Sequence, residues 1–503
     1  MPPSLRGLLG LALFVFAAAP AGAQASPYLP LDDPRLPLLE HLIARGDVED
    51  PSPMIRPFRV ADAERVLAAA DTGAEGPERE LIRTLRAGFA EDTARARWEA
   101  GLRLGGTAYT QKRRDLLHLG GAGDWNWYLD FALRGVFGPI AAATRPAVEP
   151  RLIGDPDWPN TTQENVTGRL IEGYISGQIK FGSLTYGQLE RNWGPVGYPG
   201  IPLSDYGYQR QGLAITLGAG PVRLDALASD LRSEFDSTGQ RVNRYLFVHR
   251  LEGRFSRRLR VAVWEASILQ GVGRTLETPF ANPLSLSVLA NTFGINEEGN
   301  NVMIGADVHW RVARRLTGQA QLAIDDFQFN QRNLTPDRWA AAVALFGALG
   351  SRLAWRLFYT QVSSLALRTS NPFENFTDAG VGTGRNFSDM DLIRVSLSVP
   401  VAGSFVLTPE LAMQRQGEGR INDPFPARNA QGVLDVPGIF IGTVEHTYRV
   451  AVGIAGARGP LELSANAGFH HVTNDQNRPG VTANRVVARI QATLAWRRHG
   501  VLH

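Results

Sequence analysis

Residues 485–497 read Arg485-Val486-Val487-Ala488-Arg489-Ile490-Gln491-Ala492-Thr493-Leu494-Ala495-Trp496-Arg497. Val486, Ala488, Ile490, Ala492, Leu494 and Trp496 share one parity, and Arg485, Arg489, Gln491, Thr493 and Arg497 share the other. Successive side chains of a strand point to opposite faces, so this run is a strand with one apolar and one charged face. It is also longer than the five or six residues usual in soluble sheets. The same pattern recurs upstream. Ile304, Ala306, Val308 and Trp310 alternate with Gly305, Asp307, His309 and Arg311. Leu461, Leu463, Ala465, Ala467 and Phe469 alternate with Glu462, Ser464, Asn466 and His470. Long strands of this kind suit a closed barrel with lipid outside and a polar interior. A soluble sandwich also alternates, but its turns come every 8 to 12 residues or so.

Connection lengths test that reading. The strands are placed at 120–143, 164–181, 184–194, 208–218, 222–232, 243–256, 259–270, 301–312, 316–329, 338–349, 353–368, 390–401, 404–418, 447–458, 461–475 and 483–497. Short and long connections then alternate without exception, as periplasmic turns and external loops do in outer-membrane barrels. Residues 283–294 look strand-like, but counting them as a spanning strand breaks the alternation, so they are assigned to a long external loop. Residues 97–111 form a further strand with no evident partner. The expectation is an all-β transmembrane β-barrel of 16 antiparallel strands, or 18 if that partner exists.

The chain before the barrel reads differently. Arg6 precedes an apolar run, Leu8 to Ala18, and Ala21-Gly22-Ala23 offers a small-residue cleavage site, the order of a secretory signal peptide over 1–23. The run is about half of the roughly 20 residues that a spanning helix needs. Residues 24–95 read as a small α-helical segment, periplasmic in this scheme, with helices over 34–45, 60–70 and 77–90. The barrel occupies 96–503.

Composition excludes several functions. Lys and Arg number 52 against 49 Asp and Glu, a net charge of +3, and no basic cluster points to a nucleic-acid partner. With no cysteine in the chain, disulfides, thiolate nucleophiles and cysteine metal sites are excluded. Neither a G-x-S-x-G elbow nor an H-E-x-x-H pair occurs. His470-His471 and Asp325-Asp326 are adjacent on strands, so each pair diverges to opposite faces. The reading is therefore not an enzyme, with no cofactor and no metal.

Two groups of residues carry the functional reading. Charges on the inward parity, Arg250, Glu252, Glu265, Asp307 and Asp325 among them, form a lumen network, and buried charges must pair. The segment Tyr186-Gly187-Gln188-Leu189-Glu190-Arg191-Asn192-Trp193-Gly194-Pro195 closes a strand at the external rim. Its parity turns Glu190 inward with Tyr186 and Gln188 and places Trp193 at an interface, as a membrane anchor or as a stacking face for a sugar. Glu190, Arg191, Trp193, Tyr198, Tyr206 and Tyr208 are the candidate glycan-contact or rim residues.

Glu190-Arg191-Asn192-Trp193-Gly194-Pro195 with Leu203-Ser204, then Arg244-Tyr245 and His249-Arg250-Leu251-Glu252, Trp264-Glu265, Asn282-Pro283-Leu284, Asn301 to Asp307, and Ile324-Asp325-Asp326-Phe327, resemble in this order the Wzi family of outer-membrane capsule-assembly proteins. The segment departs from the family at Asn192, where another aromatic is expected. The C-terminal residues lack the terminal aromatic of barrel-assembly signals, and Trp496 stands nearest to that role. The resemblance covers most of the mature chain. It implies an 18-stranded barrel with a helical bundle on its periplasmic side, located in the cell outer membrane. It also implies a lectin-like, non-catalytic role: binding capsular or exported polysaccharide at the cell surface. The expected partners are that polysaccharide, outer-membrane lipids and the barrel-assembly machinery, with the chain a monomer. A porin or transporter for small solutes is the alternative.

Overall fold

The computed structural model describes residues 24–72, 77–90, 96–111, 124–159, 167–208, 210–284, 299–326, 334–385, 387–402 and 404–501. The signal-peptide reading and most of the 283–294 segment lie outside these residues.

Eighteen antiparallel strands form one closed sheet. They are β1 (Ala96–Tyr109), β2 (Asp124–Phe137), β3 (Ile140–Val148), β4 (Gly168–Ile179), β5 (Gly182–Gln188) and β6 (Gln211–Ala219). Next come β7 (Val222–Phe235), β8 (Arg241–Arg254), β9 (Leu259–Val272), β10 (Asn300–Ala313), β11 (Leu316–Asp326) and β12 (Arg338–Leu349). The wall is completed by β13 (Leu353–Val362), β14 (Met390–Val401), β15 (Phe405–Gln416), β16 (Glu445–Arg458), β17 (Leu461–Thr473) and β18 (Thr482–Val501). Each strand pairs with its neighbours in sequence, and β1 pairs with β18 from Arg97↔Val501 to Tyr109↔Arg489. Closure leaves no open edge, the condition for crossing lipid, where an unpaired backbone group costs several kcal/mol.

The partner of residues 97–111 is β2, which the sequence reading had fused with β3 into one strand over 120–143. Gly138, at φ +57, turns the chain with Pro139 between them. An L side chain rarely adopts that conformation, so the glycine is the mark of the turn. β3 is alanine-rich and contains Pro146, which sits at a register shift against β4, where a strand tolerates proline. The count is therefore 18.

The opening motif behaves as its parity requires. Val486, Ile490, Leu494 and Trp496 are exposed on the outer face, while Arg489, Gln491 and Thr493 line an interior cavity. Trp98, Leu102 and Leu104 of β1, Phe131 of β2 and Val450 and Val452 of β16 continue the exposed apolar surface. An apolar band around a closed barrel is solvated by a bilayer.

Among the described residues, three helices precede the wall: α1 (Leu36–Arg45), α2 (Val60–Asp71) and α3 (Pro77–Ala90). Leu39 and Leu42 of α1, Leu67 of α2 and Ile82 and Phe89 of α3 are fully buried in one cluster that includes Val406 of β15. Each such side chain contributes about 1.5–3 kcal/mol. The segment sits at the short-turn end, which is periplasmic in barrels of this class. Ala25 N–H donates to Gly138 O at 2.7 Å, and Arg45 donates to Leu353 O at 3.2 Å. From there it reaches into the lumen: Asp32 accepts from Arg145 at 2.7 and 2.9 Å and from Arg103 at 2.8 Å. His41 Nδ1 lies 2.8 Å from Ser398 Oγ of β14. Burial, then Arg45 and Arg356, push the His41 imidazole down to about 3, so it sits there neutral.

Candidate functional site

The wall segment β5 ends at Gln188, not at residue 194 as the sequence reading had it. Thr185 faces the lumen, bonded to Ser176 at 2.9 Å and to Tyr28 of the N-terminal segment at 3.2 Å. Tyr186 is exposed on the outside, so the assumed phase of Tyr186 and Gln188 was off by one residue. Glu190 reaches the interior for a different reason: the chain leaves the wall and folds inward as a strap over 189–208.

Backbone and amide bonds hold the strap in the lumen. Asn192 exchanges backbone hydrogen bonds with Arg56 at 2.8 and 2.9 Å, joining the strap to the N-terminal segment. Its amide donates to Tyr198 O at 2.8 Å and accepts from Gly200 N–H at 2.7 Å. The short amide satisfies an orphan carbonyl and an orphan N–H of the strap at once, which gives Asn192 a local reason. Gly194 and Gly200 permit the fold, because a Cβ on Gly194 would stand 2.4 Å from Gly200 Cα. On the wall, Gln319 accepts from Val196 N–H at 2.9 Å. Gln321 accepts from Ile201 N–H at 2.8 Å and donates to Trp193 O at 3.0 Å. Ser204 ties the far end to Gly384 O at 2.6 Å.

Trp193, 5% exposed, packs in the lumen core with Ile201, Leu203 and Trp264. It is not at the lipid interface, because the chain that carries it has left the wall. Tyr198 stacks on Phe358 with ring centres 3.6 Å apart and is equally buried. The remaining candidates surround cavities. One of about 340 Å³ runs along the lumen between β1–β4 and β16–β18, and Glu190, Tyr206 and Tyr208 line it. So do Arg103, Arg145, Arg151, Arg169 and Arg489, together with Tyr109 and Tyr128. Its base is the Asp32 bridge to Arg103 and Arg145. Toward the long-loop end Tyr208 packs edge-on against Trp158 at 4.7 Å, beneath Arg169 at 5.6 Å.

Two carboxyls in this cavity are perturbed. Burial, then the Asp32 charge, push Glu190 up to about 7 against the pull of Arg169 and Arg145. Burial pushes Asp205 up to about 6. Sequence reasoning missed Asp205, which carries no mark beyond its place between Ser204 and Tyr206. The cavity thus presents tyrosines, paired guanidiniums and carboxyls that change protonation near neutrality, the mixed donor and acceptor surface that polyhydroxyl ligands need.

A second cavity, about 520 Å³, lies at the short-turn end and is lined by Tyr28, Arg59, Arg191 and Trp193. The six candidates therefore divide among the two cavities and the packed core.

The lumen network also divides. Arg250 binds Asp307 at 2.8 Å and Glu252 at 3.0 Å, and Asp307 accepts further from Trp264 Nε1 and Gln321, each at 2.9 Å. Asp325 lies apart, accepting from Leu367 N–H at 3.1 Å in the 363–389 connection. Glu265 is a correction. It pairs across the wall with His249 and with the outward, exposed Ile304, and next to it Val263 is 57% exposed, so it faces outward. Trp264 takes the inward place because its indole N–H has a buried acceptor in Asp307. His249 Nδ1 meets the Glu265 carboxylate at 2.9 Å, and both side chains are buried.

No protein-family model matches the chain, and no curated protein matches it. Solved structures do. One is Wzi, described as an outer membrane protein involved in group 1 capsule assembly in Escherichia coli and as a carbohydrate-binding β-barrel. It is 14% identical at a TM-score of 0.64, covering 95% of this chain and all of that one. The outer membrane protein OprD from Pseudomonas aeruginosa aligns at 10% identity and a TM-score of 0.44, over 81% of this chain and 95% of its own. At that identity the likeness to Wzi is one of fold. This chain is an outer-membrane β-barrel of Wzi-like fold.

Proposed function

We propose that this barrel binds polysaccharide and holds it at the cell surface without catalysing any reaction on it. One observation carries the reading. Chain fills the lumen from three directions, the N-terminal segment, the strap and the 363–389 connection, yet leaves a polar cavity lined by four tyrosines and five arginines. Tyrosine and arginine give planar faces and forked donors, which suit pyranose rings and their hydroxyl and carboxyl groups. A filled lumen supports a binding role over a diffusion path for small solutes. The carbohydrate binding and capsule assembly described for the Wzi structure support the same reading by analogy of fold.

Deleting the gene should release polymer into the medium while total synthesis is unchanged; cell-bound polymer equal to that of the parent would sink the proposal. Purified protein should bind the strain's own polymer and remain silent in a planar bilayer. Steady conductance without polymer binding would establish the alternative, a porin or transporter.

A further inference from the structure

The second cavity has a charge surplus. Six arginines line it, Arg56, Arg59, Arg191, Arg223, Arg254 and Arg260, against three carboxylates. Half of the arginines are already paired: Arg56 with Asp50 at 3.1 Å, Arg223 with Asp225 at 2.9 Å and Arg260 with Glu49 at 3.4 Å. Asp62, a lining carboxylate, is taken by Arg65 at 3.1 Å. Arg59, Arg191 and Arg254 have no carboxylate within ion-pair reach among the described residues.

Arg191 is the most telling of these. It is 9% exposed, and among the described residues its one side-chain hydrogen bond is from Nη1 to Leu189 O at 3.1 Å. Arg59 donates to Gln178 and, at 3.4 Å, to Ser176, and lies over the Tyr28 ring at 5.4 Å. Both guanidiniums act on the Tyr28 hydroxyl. Burial pushes that phenol up, and Arg59, the Thr185 hydrogen bond and Arg191 together more than offset it and hold it below its ordinary value. Hydroxyls of Thr185 and Ser176 stand beside it, 2.9 Å from each other. A buried guanidinium with open donors recognises an oxyanion, most strongly when a second cation and hydroxyl donors converge on the same place. Trp193 and Phe58 add aromatic surface to the lining.

We infer that the cavity between Arg59, Arg191 and Tyr28 at the periplasmic end of the lumen is a site for an oxyanion, the carboxylate or phosphate group of an acidic sugar. It lies on the opposite side of the strap from the tyrosine-lined cavity. It does not depend on surface anchoring, because an anion site at this end of the lumen can be occupied whether or not polymer is retained outside.

The test uses the full mature barrel in detergent and three probes: trigalacturonate, its neutral galactose counterpart and inorganic phosphate. Trigalacturonate should bind about tenfold or more tighter than the neutral trimer, with affinity falling as salt rises. Phosphate should compete if the anionic group alone is read. Failure of phosphate to compete, with trigalacturonate still preferred, assigns the site to the sugar-borne carboxylate. Arg191→Gln and Arg59→Gln should each weaken trigalacturonate several-fold, and Arg191→Lys should keep part of the affinity. Heat-modifiable migration on gels checks that each variant is folded. If buried Arg191→Gln fails that check, half-buried Arg59→Gln decides, since it should fold and still weaken binding. Equal affinity for acidic and neutral trimers without phosphate competition, or binding unchanged in the folded variants, overturns the inference.

Discussion

Glu190 and Arg191 are consecutive in the chain and serve different cavities: the Glu190 carboxyl lines the tyrosine-rich cavity, and the Arg191 guanidinium lines the one at the short-turn end. The strap that carries them thus lies between the two, with a small cavity lined by both residues against it. Its two faces can be altered separately by changing one residue or the other.

Glu190→Gln should leave stability near that of the parent and change the pH response. Burial and Asp32 raise the folded Glu190 to about 7, and an unfolded glutamate titrates near 4.3. The folded state therefore binds the proton more tightly, so this group favours folding most at acid pH and loses that contribution as pH rises through about 7. Asp205 acts in the same direction up to about 6. The parent's melting temperature should fall between pH 5 and 8, and Glu190→Gln should flatten the slope. An equal slope in both proteins would refute the assignment.

Trp193→Ala should cost about 3–5 kcal/mol, the range for a large aromatic removed from a packed core. Because Trp193 lines the second cavity, the substitution should also enlarge it. The readouts are thermal unfolding and bilayer conductance, and a melting temperature within a degree of the parent would contradict the buried position.

Arg250→Ala leaves Asp307 and Glu252 without the guanidinium that holds both. Breaking a buried ion network in this way costs about 3–5 kcal/mol. Arg250→Ala combined with Asp307→Ala should recover part of that loss. A double variant no more stable than Arg250→Ala would argue against the direct pairing.

Arg385→Met should stabilise. The Arg385 guanidinium is buried, with no hydrogen-bond partner for any of its nitrogens among the described residues, and lies 5.6 Å from the Phe358 ring. Burial alone pushes it down to about 9. An apolar chain of similar length there should gain on the order of 1–4 kcal/mol. A lowered melting temperature would show that the cation has a counter-charge in solution.

Alternation and connection lengths made the barrel legible, because both follow from the wall itself: parity from the strand, short turns from antiparallel neighbours. Gly138-Pro139 escaped because the residues on either side alternate well enough to read through it. The strap escaped for a deeper reason. Once the chain leaves the wall at Leu189, parity no longer says where a side chain points, and Trp193 or Tyr198 can be placed only by tertiary packing. Glu265 shows the limit on the wall itself. Trp264 and Glu265 are both buried, and which one faces in depends on Asp307 and His249, residues distant in sequence that carry the two partner groups.

The seam and the lumen contents share a residue. Arg103 lies on β1, the strand that closes the cylinder by pairing with β18 from Arg97↔Val501 to Tyr109↔Arg489. Its guanidinium meets Asp32 of the N-terminal segment at 2.8 Å, and Asp32 also meets Arg145 of β3 at 2.7 Å. The strand that seals the cylinder is thus also an anchor of its stopper, so a substitution that frees Asp32 loosens the inner face of the seam together with the segment it holds.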